Sequence, residues 1–185
     1  MWAVVGLGNP GRKYADTRHN AGFLFIQRAA KAWDVRVKKN KYLSKTAELK
    51  RGSENVILAM PQTSMNASGR AVGELVRGLR LDPGRLLVVY DDVDIELGAI
   101  RIRKDGGPGT HKGITSIVEE IASTRFPRIR VGIGPSPEGG DIVQFVLSPF
   151  RRNEKARFEE SLAKAREALD LILEGGIDRA MSQFN

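Results

Sequence analysis

The sequence predicts an α/β fold, a single domain of three layers, α/β/α, around a twisted, mostly parallel mixed sheet. Short apolar, β-branched runs alternate along the chain with longer segments of helical periodicity, which is the pattern of this class. The uninterrupted apolar run at residues 86–90 is typical of a central strand that helices cover on both faces. A chain of 185 residues has the size of one domain, so we expect residues 1–185 to form a single unit.

Strands are predicted at residues 2–7, 46–50, 55–60, 86–90, 100–103 and 128–134. In the strand at residues 100–103, apolar residues alternate with Arg101 and Arg103. In the strand at residues 128–134, they alternate with Arg128 and Arg130. Because successive side chains of a strand point to opposite faces, we expect each of these two strands to have a wet, basic face.

Helices are predicted at residues 19–33, 66–79, 112–123 and 151–174, with a shorter one from residue 177 to the end. Strands that alternate with helices form largely parallel sheets, whose binding sites lie beyond the carboxyl ends of the strands. The segments after Leu7, Met60, Tyr90 and Arg103 are therefore the expected location of the chemistry.

The composition restricts the possible function classes. With 30 Lys and Arg against 22 Asp and Glu, the formal net charge is +8, which suits a polyanion such as a nucleic acid. The chain has no Cys, which excludes disulfides, thiolate metal sites and Cys nucleophiles. No apolar stretch approaches the ~20 residues that cross a bilayer, and residues 1–6 do not resemble a signal peptide. We therefore expect a cytoplasmic protein without membrane contact.

Of the two histidines in the chain, His19 is the stronger candidate for chemistry. It begins the first predicted helix, whose N-terminal partial positive charge favours a neutral imidazole that can accept a proton from water. Asp91, at the carboxyl end of the central strand, could orient that ring. Asn9, Asn20 and Asn66 fall in the same predicted crevice, where amides could hold a water and polarise a carbonyl.

Three other patterns in the sequence are weaker evidence for a functional site. His111 lies in a polar loop and is expected to be solvated. Residues 6–11 (GLGNPG) satisfy the dinucleotide pattern GxGxxG, but Pro10 and a mostly polar segment separate them from the next helix, which argues against nucleotide binding. The chain has no GxSxG elbow, which argues against a serine nucleophile.

An acidic run follows the central strand and offers an alternative site. Asp92, Asp94 and Glu96 would share one side of an extended chain, where they could hold a hard cation. The same residues could instead cap turns and pair with arginines, and no histidine spacing supports a metal. A metal-dependent phosphoesterase built on these carboxylates stays open as one alternative function.

Six short blocks of sequence, taken together in their order, identify a family far more specifically than any one block does. They are residues 6–11 (GLGNPG), 17–22 (TRHNAG), 65–69 (MNASG), 91–94 (DDVD), 130–134 (RVGIG) and 180–185 (AMSQFN). With Tyr14 between the first two, they resemble the bacterial peptidyl-tRNA hydrolase family, and the resemblance runs from residue 3 to residue 185. It implies a monomeric α/β esterase, without metal or cofactor, that cleaves the ester between a peptide and the 3′ end of tRNA.

The resemblance also assigns roles to individual residues. It implies that His19 is the general base that activates water and that Asp91 keeps His19 in its basic form. It implies that Asn9 contacts the substrate and helps to distinguish blocked from unblocked aminoacyl-tRNA. The residues implied to line the channel for the peptide and the terminal adenosine are Tyr14, Met65 and Asn66. Those implied to contact tRNA phosphate are Arg103 and Arg130.

Two positions depart from the family's pattern. Residues 109–113 read GTHKG where the family usually has GGHNG, so Lys112 replaces an asparagine that contacts substrate and helps to order the catalytic water. Lys112 could donate to a phosphate or a carbonyl, but it lacks the acceptor of the amide. Ser64 stands where the family commonly has an aromatic residue. These changes keep open a non-catalytic RNA-binding module on the same fold, although binding alone does not need both His19 and Asp91.

Overall fold

A computed structural model describes residues 1–185 and places a seven-stranded mixed sheet at the centre of the molecule. The strands are β1 (Trp2–Gly6), β2 (Lys39–Lys41), β3 (Ser44–Arg51), β4 (Glu54–Pro61), β5 (Leu86–Glu96), β6 (Ile100–Arg103) and β7 (Arg128–Gly134). Their order across the sheet is β2-β3-β4-β1-β5-β7-β6. The adjacent strands β4, β1, β5 and β7 are parallel, so their carboxyl ends meet at one edge. The pairs β2–β3, β3–β4 and β6–β7 are antiparallel.

Helices cover both faces of this sheet. They are α1 (Ala21–Ala32), α2 (Ser68–Leu79), α3 (Lys112–Ile121), α4 (Ile142–Val146), α5 (Lys155–Gly175) and α6 (Ile177–Phe184). Helices α1, α5 and α6 pack on one face, and α2 and α3 pack on the other. The predicted three-layer α/β/α class is therefore confirmed. None of the helices is both long enough and apolar enough to span a membrane.

Alternation along the central strands divides the core into two clusters. On β5, Leu87 and Val89 belong to a cluster of 28 buried residues under α1, α5 and α6. Leu86 and Val88 belong to a cluster of 14 buried residues under α2 and α3. A strand that is buried on both faces needs apolar side chains at consecutive positions, which explains the uninterrupted apolar run at residues 86–90.

Four features of the secondary structure differ from the sequence-based expectations. Strand β5 continues past Tyr90 to Glu96, so the whole acidic run lies in a strand rather than in a loop. A 3-10 turn, Arg18–Asn20, precedes α1, and His19 lies in this turn rather than in the helix itself. Strand β2 and helix α4 are not predicted at all, although Asp141 caps α4 by accepting hydrogen bonds from two of its backbone N–H groups.

Glycines at the end of β1 allow α1 to dock directly on the sheet. A Cβ atom on Gly6 would lie 2.1 Å from the carbonyl oxygen of Gly22, and a Cβ atom on Gly8 would lie 2.6 Å from the ring of Phe23. Gly6 and Gly8 thus serve close packing between helix and strand. Only a short 3-10 turn, Arg12–Tyr14, follows residues 6–11, and α1 begins at Ala21, so no α-helix N-terminus faces the glycines as a dinucleotide site requires.

The two edges of the sheet are protected differently. At one edge, β2 exposes the side chains of Lys39 and Lys41. At the other edge, the last residue of the chain pairs with β6. The backbone N–H of Ile102 donates to Oδ1 of Asn185 at 2.7 Å, and Nδ2 of Asn185 donates to the carbonyl oxygen of Ile102 at 3.0 Å. The amide side chain thus takes the place of one residue of a neighbouring strand.

Candidate active site

A cavity of about 650 Å³ opens at the carboxyl ends of β1, β4 and β5, where the fold class predicts a site. The predicted site residues on its wall are Asn9, His19, Met65, Asn66, Asp91, Arg103, Lys112 and Arg130. Tyr14 is half-buried in a separate 3-10 turn and lies outside this wall. The structure therefore brings these eight residues together, whereas Tyr14 and Asn20 lie outside the cavity wall.

His19 and Asp91 form a hydrogen-bonded pair in this cavity. Nδ1 of His19 lies 3.0 Å from Oδ1 and 2.9 Å from Oδ2 of Asp91. An ionised carboxylate can only accept hydrogen bonds, so the Nδ1–H of His19 is the donor. The remaining nitrogen of the ring, Nε2, is then an acceptor. Since His19 lines the cavity and is 15 % exposed, Nε2 is the nitrogen available to a water molecule.

The local fold explains why these two residues meet. Asp91 follows Leu87 and Val89 on the face of β5 that α1 covers, because side chains alternate along a strand. The close contact between Gly6 and Gly22 holds the start of α1 against β1, the neighbour of β5. This docking places the turn that carries His19 over the end of β5.

His111 is not the solvated residue that the sequence predicts. Its side chain is 12 % exposed, and its Nε2 lies 3.3 Å from Oδ1 of Asp91. Its ring centre lies 5.1 Å from that of His19 and 4.8 Å from that of Tyr90. The expectation is wrong because the polar loop folds back against Tyr90, a long-range contact that local polarity does not reveal. The one signal in the sequence is the position of His111 directly before a helix at the carboxyl edge of the sheet.

Asp91 carries its charge in a buried position. Burial by itself would raise the pKa of this carboxyl group. Hydrogen bonds and favourable charge interactions with His111 and then His19 outweigh burial, and they hold the pKa of Asp91 well below its usual range. Asp91 is therefore a carboxylate throughout the neutral range, which fixes Nδ1 as the proton-bearing nitrogen of His19.

The amides expected in the crevice do not share one role. Asn20 is buried, and its side chain is occupied by the backbone of Asn9, accepting from its N–H at 2.8 Å and donating to its carbonyl oxygen at 3.0 Å. The expectation that Asn20 faces the crevice is therefore wrong. Oδ1 of Asn9 accepts from the backbone N–H of Met65 at 2.8 Å. This bond leaves Nδ2 of Asn9, on the cavity wall, as the group available to a ligand.

The two departures from the family pattern lie close to the amide and loop residues of the cavity. The hydroxyl of Ser64 donates to Oδ1 of Asn66 at 2.7 Å, so Ser64 fixes the side chain of Asn66. Lys112, the first residue of α3, is exposed on the cavity wall next to His111. Both replacements therefore alter the lining of the cavity without touching the pair of His19 and Asp91.

Four arginines share one face of the β6–β7 pair, and all of them except Arg101 line the outer part of the cavity. In the antiparallel register Arg101 lies opposite Arg130, and Arg103 lies opposite Arg128; we call these four residues the arginine face. Arg101 and Arg103 are exposed, as expected. The expectation of a wet face is wrong for Arg128, which is 3 % exposed. The glycine-rich loop folds over it, and its guanidinium donates to the carbonyl oxygen of Gly107 at 2.6 Å.

The carboxylates of the acidic run do not converge on a cation site. Oδ2 of Asp92 accepts from Nε of Arg130 at 2.6 Å, and its Oδ1 accepts from the backbone N–H of Asp94 at 2.9 Å. Glu96 accepts from Arg157 at 2.7 Å instead. The alternative reading of this run, in which its residues cap turns and pair with arginines, is the arrangement found.

His19, Asp91 and His111 are the one group whose potential metal-ligand atoms lie close together, within 4.8 Å of one another. The carboxylate of Asp91 already accepts a hydrogen bond from each ring, so a metal ion would have to replace both bonds. The arrangement therefore suits proton transfer at His19 better than it suits metal binding.

Apolar residues of α4 and its end form another part of the cavity wall. The exposed ones are Ile142, Val143 and Leu147. Arg18, next to His19 and only 3 % exposed, fastens this segment to the turn that carries His19. Its guanidinium donates to the hydroxyl of Ser148 at 2.8 Å and to Glu154 at 2.6 Å. The apolar wall and the histidine are thus held by the same buried cation.

Comparisons with known proteins agree over the whole chain. A model of the family described as peptidyl-tRNA hydrolase matches residues 3–185. A peptidyl-tRNA hydrolase of Alkaliphilus metalliredigens is 43 % identical over 185 residues, covering 100 % of both chains. One of Thermoanaerobacter is 44 % identical over 185 residues, again covering 100 % of both. The crystal structure of peptidyl-tRNA hydrolase from Acinetobacter baumannii is 34 % identical, with a TM-score of 0.92, covering 100 % of this chain and 94 % of that one.

Proposed function

Because the chain belongs to the peptidyl-tRNA hydrolase family, we propose that it hydrolyses the ester bond between a peptide, or an N-blocked amino acid, and the 3′ end of tRNA. The reaction would recycle tRNA from prematurely released peptidyl-tRNA. The observation that carries the proposal is the pairing of His19 with Asp91 on the wall of a cavity of ligand-binding size.

His19 is the proposed general base. Its Nε2 accepts a proton from a water molecule while the water oxygen attacks the carbonyl carbon of the ester. The tetrahedral intermediate then expels the oxygen of the terminal ribose, which takes that proton from the imidazolium of His19. The products are a peptide with a free carboxyl group and a tRNA with a free hydroxyl group, so atoms and charge balance.

Asp91 is the proposed partner of this base. Its carboxylate holds His19 in the tautomer that leaves Nε2 free, and it stabilises the imidazolium that forms when Nε2 takes the proton. His111 supports Asp91 from the other side, because it donates to the same carboxylate. A buried carboxylate with two donors keeps both its charge and its orientation.

Asn9, Met65 and Asn66 are the proposed contacts for the peptide and the terminal adenosine. Nδ2 of Asn9 can donate to the ester carbonyl or to the blocked amino group's carbonyl, since its Oδ1 is occupied by Met65. Asn66 lies on the same wall with its orientation fixed by Ser64. The role that the resemblance gives to Tyr14 stays a prediction, since Tyr14 lies outside the cavity wall.

Arg103 and Arg130 are the proposed contacts for tRNA phosphate. Both lie on the cavity wall, and the overall charge of +8 favours the approach of a polyanion. Lys112 adds a third cation nearer to the histidines, where it can donate to a phosphate or to a carbonyl. The acceptor end of the tRNA would then span the cavity from the arginine face to His19.

We further propose that residues 1–185 act as one domain and as a monomer, in the cytoplasm, without metal or cofactor. The proposal follows the family resemblance and the substrate, since tRNA of aborted translation arises where ribosomes work. Light scattering of the purified protein should give a mass near 20.4 kDa. A mass of twice that value would contradict the monomer.

The decisive test is release of free tRNA from an N-acetylaminoacyl-tRNA in the presence of excess EDTA. The wild type should turn over, and His19→Ala should lose about 10²–10⁴-fold in kcat with tRNA affinity almost unchanged. Unblocked aminoacyl-tRNA serves as the control substrate and should be hydrolysed far more slowly.

Each other outcome points to a different alternative. Tight tRNA binding without turnover would mean an RNA-binding module, and Lys112→Asn would then show whether Lys112 is the reason. Loss of activity in EDTA would mean a metal-dependent esterase. Equal loss of binding and rate in His19→Ala would make His19 a structural or binding residue.

A further inference from the structure

The arginine face contains one ion pair, and the partner in it is Asp92. Nε of Arg130 donates to Oδ2 of Asp92 at 2.6 Å. Arg101 and Arg128 form no ion pair, and both donate to backbone carbonyl oxygens. Arg103 has no ion pair and lies exposed on the cavity wall. Among these four cations, Arg130 alone is matched by a carboxylate.

Asp92 is held in place and holds Arg130 in turn. The side chain of Asp92 is 11 % exposed, and its second oxygen accepts from the backbone N–H of Asp94 at 2.9 Å. Arg130 is 28 % exposed and uses only Nε in the pair. Its two terminal nitrogens have no partner within the protein and are not buried, so they are free on the cavity wall.

This geometry divides the guanidinium into two edges. A guanidinium can bind a carboxylate or a phosphate through parallel N–H groups, and the edge formed by the terminal nitrogens suits that purpose. With Nε tied to Asp92, the terminal edge keeps one orientation. Asp92 thus preorganises Arg130 for an anion while leaving its binding edge open.

The ion pair between Asp92 and Arg130 also lowers the net positive charge at the proposed phosphate site. Arg101 and Arg130 lie opposite each other, as do Arg103 and Arg128, and like charges at opposite positions repel. Asp92 cancels one of these four charges. Affinity for a polyanion depends on the number of cations that replace its counterions, so one cancelled charge weakens binding and flattens its dependence on salt.

We propose that Asp92 is a positioning residue that aims Arg130 at a tRNA phosphate and, by cancelling one charge, limits the affinity for tRNA so that the free product leaves. The inference rests on the proposed function, since it needs tRNA phosphate at Arg130. It adds an acidic residue, outside the histidine cluster, that sets how tightly substrate and product bind.

The test measures binding of deacylated tRNA over a series of salt concentrations. Asp92→Asn removes the charge and keeps an oxygen that can accept from Nε of Arg130. It should steepen the log–log salt slope by ~1 and tighten binding roughly tenfold near 0.1 M salt. Product inhibition by deacylated tRNA should strengthen by the same factor. An unchanged or flatter slope would overturn the proposal.

Asp94→Asn is the matched control. Asp94 lies on the same cavity wall, carries the same charge and forms no ion pair with the arginine face. If Asp92 acts through its contact with Arg130, Asp94→Asn should change the slope by less than half as much. Equal effects of the two variants would mean a general field effect and would overturn the specific role of Asp92.

Two further variants complete the test. In the Arg130→Ala background Asp92→Asn should change the slope by less than half as much as it does in the wild type, and an undiminished effect would contradict coupling through Arg130. Asp92→Glu keeps the charge and should keep the wild-type slope, whereas Asp92→Ser removes the charge and replaces Asp92→Asn if that variant unfolds. Thermal unfolding of each variant confirms that the folded protein is being compared.

The same preparations separate this proposal from the proposed function. If the wild type hydrolyses the ester and Arg130→Ala flattens the slope, but Asp92→Asn leaves it unchanged, only the role of Asp92 fails. If the wild type binds tRNA with the predicted coupling and does not hydrolyse the ester, the proposed function fails and the coupling stands.

Discussion

The cavity joins two regions that carry charge in opposite ways. At its inner end, one carboxylate, Asp91, is 2 % exposed and lies between two histidine rings. At its outer end, the arginine face presents four like charges, of which only Arg130 has a carboxylate partner. The inner region holds a single buried ion, whereas the outer region leaves Arg101, Arg103 and Arg130 in reach of solvent and of a polyanion and buries only Arg128.

This difference predicts which measurable constants each region controls. Charges in the buried end are poorly screened by salt and act over a few ångströms, so changes there should alter the chemical step. Charges on the exposed end act through counterion release, so changes there should alter affinity and its salt dependence. A variant that changed the rate of the chemical step and the affinity for tRNA equally would contradict this division between the two regions.

The largest effect is expected from Asp91→Asn at the buried end. An amide can donate as well as accept, so it no longer fixes the tautomer of His19 or stabilises its imidazolium. The single-turnover rate of ester hydrolysis should fall about 10²–10⁴-fold, while the salt slope of tRNA binding stays at the wild-type value. A changed slope with a near-normal rate would mean that Asp91 belongs with the binding surface.

A smaller effect is expected from His111. Its hydrogen bond to Asp91 is longer than that of His19, 3.3 Å against 2.9 Å, and its proposed role is to support Asp91. His111→Ala should lower kcat roughly tenfold, as expected for loss of one hydrogen bond to a charged group. His111→Asn keeps a donor and should retain more activity. Equal activity of both variants and the wild type would reduce His111 to a packing role.

At the exposed end, Arg103→Ala should act on binding alone. The salt slope of tRNA binding should flatten by ~1, and hydrolysis of a small ester substrate without a tRNA body should keep its kcat. Arg101→Ala is the matched control, since Arg101 shares the arginine face and lies outside the cavity wall. A loss of kcat on the small substrate would contradict the separation of the two regions.

The smallest effect is expected in acid. The pKa of Asp91 is lower in the folded protein than in the unfolded chain, so the unfolded chain binds its proton first as the pH falls. The stability from this group is present above about pH 4 and is lost as the pH falls below that value. Urea unfolding should therefore show a shallower loss of stability below pH 4 for Asp91→Asn than for the wild type. Below pH 4, Arg103→Ala should lose stability as steeply as the wild type.

The secondary structure could be predicted from the sequence where the local pattern of residues directly reflects how an element packs in the fold. The apolar run at residues 86–90 predicts a central strand because a strand buried on both faces has no other composition. His19 and Asp91 are predictable as neighbours because His19 lies just before the first helix and Asp91 follows the apolar part of the central parallel strand, both at the same edge of the sheet. Helix α4 escapes prediction, although the apolar run after Asp141 and the capping role of Asp141 are visible signals.

The rest of the site depends on contacts between segments far apart in the chain. His111 is buried by Tyr90, and Arg128 is buried by the loop that includes Gly107. In the sequence, His111 lies in a polar loop and Arg128 alternates with apolar residues, and both patterns are typical of exposed side chains. Likewise, Asn20 has the sequence position of a crevice residue, yet its amide is occupied by the backbone of Asn9. The polarity of a sequence segment does not predict which of its polar groups form hydrogen bonds inside the protein.

The protected sheet edges have a consequence for contacts between molecules. An uncovered edge strand presents unpaired N–H and C=O groups that another chain can join, which is a common start of aggregation. Ile102 of β6 already has both groups paired with Asn185, and β2 carries Lys39 and Lys41, whose charges repel a second copy of the same edge. Deleting Asn185 would turn a capped edge into a template for strand addition.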